Sequence, residues 1–412
     1  MAKHQIVSLF TGAGGLDLGL ALVGFEPVLC VELDDDSRET LKINRPSWRL
    51  SQRNDIQSFK PGDLLKQISL RPRELPLLVG GPPCQPFSKA GYWANGDGRR
   101  LKDPRAKTLN AYLRIVDEVL PHAFLLENVA GLAYSGKDEG IRLVEKEIAA
   151  INKRHRTKYK VHTVHLNAAD YGVPQLRARV FLLASIDGAD FRMRTPTHGI
   201  QKGQQQHRTA WDAIGHLDED DWSADLNPTG RWAELLPSLP EGANYLWHTP
   251  RNTKKGAEPL FGWRTRYWSF LLKLSKRLPA WTIQAEPGPA TGPFHWRSRL
   301  LSISELSALQ TFPVGYLFYG DRRSVQRQIG NAVPSAIGEL LGIEIRRQFF
   351  GERPHRDLTL IPSHRRDCPP AERRRKVPSK YFDLRKKYKE HPGPGLGPGA
   401  RRRKAKSVPT SD

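Results

Sequence analysis

Only three cysteines occur in the 412 residues, and Cys84 sits in LLVGGPPCQPFSKAG, between an apolar run and a loop of prolines, glycines and polar residues. A thiol in a loop that follows a strand can be exposed, and backbone dipoles there favour its thiolate, so Cys84 is a candidate nucleophile. Cys30, within PVLCVEL, reads instead as a small buried hydrophobe, and Cys368 has no evident partner. Glu127 and Asn128 stand at the end of another apolar run, AFLLEN, where a carboxylate is either a turn-capping acceptor or a functional acid. In YGVPQLRARVFLL, Arg177 and Arg179 are two residues apart, which on a strand puts both on one face. Like charges side by side repel, so the pair calls for an anionic partner; a solvated edge strand is the alternative.

A second group of residues suits a nucleotide-like ligand. In LFTGAGGLDLG, Gly12, Gly14 and Gly15 would let the backbone approach a ligand where side chains would collide. The spacing is not the GxGxxG of dinucleotide enzymes. Glu32 follows Gly12 by 20 residues, at the end of the second apolar run, where a carboxylate can accept both hydroxyls of a ribose. Asp55, in NDI, is either a turn cap or a partner for an adenine amine. Together they describe an adenosyl ligand.

These residues need a scaffold that gathers them. Strands are expected at 5–10, 27–33, 75–80, 123–128, 160–166 and 179–185, and helices at 15–24, 36–44, 107–120 and 139–153. That alternation implies an α/β fold with a Rossmann-like, doubly wound sheet, whose ligands sit beyond the carboxyl ends of the strands. Gly12, Glu32, Cys84 and Glu127 then share one edge. The expected organisation is a catalytic and cofactor-binding domain over 1–187 and a smaller, loop-rich domain over 188–296, dense in Trp, Gly, Pro and Gln. A helical segment over 297–350 should pack back on the first domain, followed by a basic tail over 351–412.

The net charge of +22 is the footprint of a nucleic-acid partner, and half of it falls in that tail, read as mostly disordered and touching phosphates, or merely aiding solubility. Three scattered cysteines exclude a disulfide framework and a CxxC zinc site; no metal is expected. Without a signal pattern or a run of about 18 apolar residues, a soluble protein of a reducing intracellular compartment is expected.

In their order, FTGAGG, GPPCQPFS, ENV, QLRAR and QIGNAVP resemble the motifs of the cytosine carbon-5 DNA methyltransferases, over roughly residues 5–345. The resemblance implies a two-domain enzyme that uses S-adenosylmethionine and acts on a cytosine flipped out of double-stranded DNA. It makes Cys84 the nucleophile that adds to ring carbon 6, and Glu127 the acid that holds and protonates ring nitrogen 3. Arg179 would contact the base carbonyl and orient the acid, with Arg177 in support. For the cofactor it implies Phe10 against the adenine, the three glycines beside the methionine portion, Glu32 on the ribose, and Asp55 with Ile56 at the adenine edge. Pro82 and Leu109 would line the pocket and Asn331 close it, with Leu16, Leu33 and Ala332 in the same site.

One departure from the family pattern is Ser304, which stands before Glu305 where an arginine is usual and leaves open how the recognition domain is braced. The motifs begin almost at residue 1, so no regulatory module is expected ahead of them. A bacterial, cytoplasmic modification enzyme follows, monomeric on DNA and protecting it from a partner endonuclease. Rival readings are an RNA cytosine methyltransferase of the same build and a catalytically silent DNA-binding protein.

Overall fold

Each apolar run of the first half becomes a strand. The computed structural model describes residues 3–60, 62–82, 107–129, 139–262, 268–355 and 357–385. In it β1 (His4–Leu9), β2 (Phe25–Val31), β3 (Leu77–Gly80), β4 (Ala123–Val129), β5 (His162–Asn167) and β7 (Ala178–Ser185) form one sheet, in the order β2-β1-β3-β4-β7-β5. The first four strands of that row are parallel, and β7 runs antiparallel to both neighbours. The chain winds outward from β1 to β2 and then restarts at β3 on the other side of β1. This reversal opens a crevice at the carboxyl ends of β1 and β3.

Helices cover both faces, so the strands read as continuous apolar runs. Val7, Leu9, Leu78, Phe124 and Leu126 face one layer, with α4 (Lys107–Val119) and α5 (Glu139–His155). The alternate residues Ile6, Leu77, Val79, Ala123 and Leu125 face the other, with α1 (Gly15–Leu22) and α9 (Ser335–Phe349). Gly19 of α1 and Gly338 of α9 each lie against the other helix's backbone, so a side chain at either would strike it. The last helix thus returns to the first turn of the chain. Between them come α2 (Asp35–Asn44), capped by Asp34, and the six-residue α3 (Asp63–Ile68), which is too short for its period to announce it.

The region after residue 187 is mostly turns and short 3-10 segments, with one short helix, α6 (Ala210–Ile214). It is joined to the first half by a two-residue parallel pairing of β6 (Gln175–Leu176) with β8 (Ala280–Trp281). Its own core gathers Leu235, Leu236, Leu239, Tyr245, Leu260, Leu271 and Phe294. The helices α7 (Ile303–Leu309) and α8 (Arg322–Asn331) lead back to α9.

The expectation of a disordered tail from residue 351 needs correction. The described part, to residue 385, packs on both halves of the molecule. Leu358, Leu360 and Ile361 join the core around α9, and Tyr381 is buried in the core of the region after residue 187. These apolar residues have no regular period, so the charge around them masks the signal. The remaining tail lies outside the described residues. Among the described residues, no helix is long and apolar enough to cross a membrane.

Candidate active site

A cavity of about 760 Å³ opens at the carboxyl ends of the parallel strands, within the ordinary range for a small-molecule site. Its wall takes in Phe10, Gly12, Gly15 and Leu16 from the glycine turn, Glu32 and Leu33 beyond β2, and Asp55 and Ile56. Gly81 and Pro82 beyond β3, then Glu127, Arg179, Asn331 and Ala332, complete it.

The three glycines of the turn do different work. Gly12 has a left-handed backbone (φ 56°), and a Cβ there would meet nothing within 4 Å, so its surface is open for a ligand. Gly15 is held by the returning chain: a Cβ would crowd the carbonyl of Val333 and come within 3.0 Å of the Ala332 side chain. Gly14 (φ 79°) precedes α1 and faces Leu41 and Trp48 rather than the cavity, so the expectation that it touches the ligand is not what its position gives.

Glu32 pins this turn. Its Oε2 accepts from the amide of Gly12 (2.6 Å) and its Oε1 from that of Asp34 (2.8 Å). Burial pushes its carboxyl up and these two donors pull it down, with burial the larger effect. Asp55 caps the turn Ile56–Ser58 by accepting from Gln57 N (2.9 Å) and also forms cavity wall. Leu33 is exposed at the mouth. Leu109 departs from expectation: it is buried in the core behind, and its neighbour Thr108 provides the wall. At the mouth, Arg327 of α8 donates to Asp34 Oδ2 (2.7 Å), tying the loop after β2 to the C-terminal helices.

Strand direction explains the pairing of Glu127 with Arg179. Because β7 runs antiparallel to β4, its start lies beside the end of β4, with Arg179 opposite Val129. Glu127, two residues from Val129, is then the diagonal neighbour of Arg179 on the same face. Arg179 Nε reaches Glu127 Oε1 at 2.9 Å, and the other oxygen, Oε2, lies 3.2 Å from where a Cβ on Gly81 would sit. Burial raises the Glu127 carboxyl, against the opposing pull of Arg179 and Arg177. A carboxyl of this kind can keep a proton for donation to a buried acceptor.

Arg177 does not share a strand face with Arg179. It falls in the break between β6 and β7, fully buried, and donates to the carbonyls of Gly330 (2.9 Å) and Ala332 (2.8 Å). Its guanidinium thereby fixes the segment that carries Asn331 into the cavity wall. Burial and the neighbouring Arg179 push its pKa well down, with Glu127 acting in the opposite sense.

Cys84 lies outside the described residues, two positions beyond Pro82. Two further residues escaped the sequence reading. Asp17, in the first turn of α1, lines the cavity floor with one carboxylate oxygen buried and unpartnered, and burial pushes its pKa up to about 7. A charge inside the apolar stripe of LDLG was the available signal. Arg299 lies near Ser304 and grips buried Glu305 with both terminal nitrogens, at 2.8 and 2.7 Å. Glu305 in turn forms a capping box with Ser302 at the start of α7. Among the described residues no cluster of three or more His, Cys, Asp or Glu side chains could hold a metal ion.

Residues 4–347 match the family model for the C-5 cytosine-specific DNA methylases. The type II methyltransferase M.SacI of Streptomyces achromogenes is 35% identical over 82% of this chain and 91% of its own length. M1.HphI of Haemophilus parahaemolyticus, also a type II methyltransferase, is 29% identical over 81% and 84%. Among solved structures, a mutant of Spodoptera frugiperda DNMT2 shares the fold with a TM-score of 0.56 at 18% identity, covering 82% of this chain and 98% of that one. With a match that runs from the first strand into the last helix, and a glycine turn, acid and arginine gathered in one cavity, this chain belongs to the family of C-5 cytosine-specific DNA methylases.

Proposed function

We propose that the protein methylates carbon 5 of a cytosine flipped out of duplex DNA, as the modification partner of a restriction endonuclease with the same target. The observation that carries this reading is the shared cavity: the Glu127–Arg179 pair and the open glycine turn face one space, and Pro82, two residues before Cys84, belongs to its wall.

The cavity fits an adenosyl ligand. Gly12 leaves it an open backbone surface, Glu32 and Asp55 offer carboxylate acceptors, and Phe10 and Leu33 offer apolar cover. S-adenosylmethionine, when bound there, supplies an electrophilic methyl group. Carbon 5 of cytosine is too poor in electrons to take it unaided. The Cys84 thiolate adds to carbon 6 and makes the ring enamine-like. Glu127, held by Arg179, gives a proton to ring nitrogen 3 and removes the negative charge that would develop there. After transfer, loss of the carbon-5 proton and expulsion of the thiolate restore the ring.

Residues 188–296 serve target recognition, and the enzyme works as a monomer in the bacterial cytoplasm. Radiolabelled methyl transfer to duplex DNA and to transfer RNA tests the substrate. Label in DNA that is lost in Glu127→Gln supports the proposal, and label in transfer RNA alone overturns it.

A further inference from the structure

We infer that the C-terminal segment 357–385 is a strap that sets the recognition region's position over the catalytic cavity, with Glu372 and Tyr381 as positioning residues. This rests on the DNA-methylating function proposed above. The strap begins on the catalytic side. The amide and hydroxyl of Thr359 and the amide of Leu360 donate to Glu339, a fully buried carboxylate on α9. It then crosses to the other half, where the Arg365 amide donates to Asp212 of α6 (2.7 Å) and Asp367 accepts from Trp211 Nε1 (3.2 Å).

The third anchor is a buried ionic knot. Lys276, 1% exposed, donates to Glu241 (2.7 Å), Glu372 (2.8 Å) and the carbonyl of Pro370 (3.2 Å). The Glu372 amide returns a hydrogen bond to Glu241 (2.9 Å), and the Arg375 amide donates to Pro237 O (3.0 Å). The strap ends with Tyr381 inside the recognition-region core. Its ring stacks on Trp232 at 14°, and its hydroxyl donates to Arg231 O (2.7 Å).

A buried lysine with two carboxylates is a costly arrangement unless all partners stay in register, so it specifies one geometry more than it adds stability. The catalytic half also meets the recognition region through the two-residue β6–β8 pairing and through an apolar cluster in which Leu18, Cys30 and Trp48 pack with Trp211, Ile214 and Ile283. Neither contact includes the separate core of Leu235, Leu236 and Tyr245, into which Tyr381 of the strap is built. The strap adds an attachment at that separate core, and separated attachments define an orientation. The grip of Arg299 on Glu305 lies within the segment after residue 296 and holds the chain locally at the start of α7.

The test compares the full-length protein with the double variant Glu372→Ala/Tyr381→Ala and the conservative Glu372→Asp/Tyr381→Phe. Neither residue lines the cavity. The expected result is a rise of about fivefold or more in KM for duplex DNA in the alanine variant. S-adenosylmethionine affinity and kcat at saturating DNA should stay within twofold, and the conservative variant should recover KM. Unchanged KM for DNA overturns the inference. So does loss of cofactor affinity in parallel with KM, which would make the strap a general stabiliser.

Hydrogen exchange on the unmodified protein gives a second reading: the Glu372 and Arg375 amides should be as protected as those of α9, and free exchange there overturns the strap. If the unmodified protein methylates no DNA at all, the functional reading fails, and the exchange result still judges the strap.

Discussion

Replacing Gly330 by alanine tests how tightly the recognition region, the C-terminal helices and the cavity are coupled. Gly330 ends α8 beside Asn331, lines the cavity, and gives its carbonyl to Arg177 at 2.9 Å. A Cβ there would lie 2.5 Å from both Cα and N of Ala285, and 2.7 Å from the carbonyl carbon of Gln284, where ordinary contact begins near 3.4 Å. Since the obstacle is backbone, either the 284–285 segment or the end of α8 must retreat by about 1 Å, and overpacking of this kind costs about 1–3 kcal/mol. The retreat displaces Asn331 or loosens the Arg177 bond, and a 1 Å displacement near a reacting centre can cost about 100-fold in rate. Urea denaturation should show the stability loss. Calorimetric titration with S-adenosylmethionine and single-turnover methylation should show weaker binding and slower transfer. A variant with the stability, cofactor affinity and rate of the unmodified protein would refute the proposed coupling.

Two further outcomes follow from buried charges. Arg299→Met takes the cation from the buried Glu305 carboxylate and leaves it the Ser302 amide, since burial and the surrounding cations hold neighbouring His295 well below its usual pKa. A loss of about 3–5 kcal/mol is expected in denaturant titration, largely recovered by adding Glu305→Gln; a loss below about 1 kcal/mol would contradict the buried pair. For Asp17, raised from 3.8 to about 7, the folded protein keeps a proton that the unfolded chain has released between those values. That component of stability therefore falls as pH rises from about 4 to 7, by up to about 4 kcal/mol. Urea midpoints of Asp17→Asn should flatten across that window and exceed those of the unmodified protein above pH 7, whereas parallel curves would refute the assignment.

Much of this design is written locally. The strands are short apolar runs bounded by Gly and Pro, and once their order is known the edge that collects Glu32 and Glu127 follows. What was not legible depends on where the chain pauses. Arg177 and Arg179 have strand-like spacing, yet one falls in the break before β7 and faces Gly330 and Ala332, which only the folded C-terminal segment brings there. Leu109 and Thr108 exchange places at the wall because a rotation of one residue in α4 moves a side chain from cavity to core. The partner of Glu305 was not legible either, since Arg299 stands six residues before it and outside any local motif. In the tail, an excess of basic residues outweighed apolar anchors that have no period, though Tyr381 has a seat among distant aromatics.

The proposed mechanism requires a covalent bond between Cys84 and the target base. Incubation with S-adenosylmethionine and duplex DNA carrying 5-fluorocytosine, whose carbon-5 fluorine cannot leave as a proton does, arrests that bond for peptide mass spectrometry. The expected product is a stable protein–DNA adduct on the peptide containing Cys84, absent in Cys84→Ala. No adduct, or one that persists in Cys84→Ala, would contradict the account.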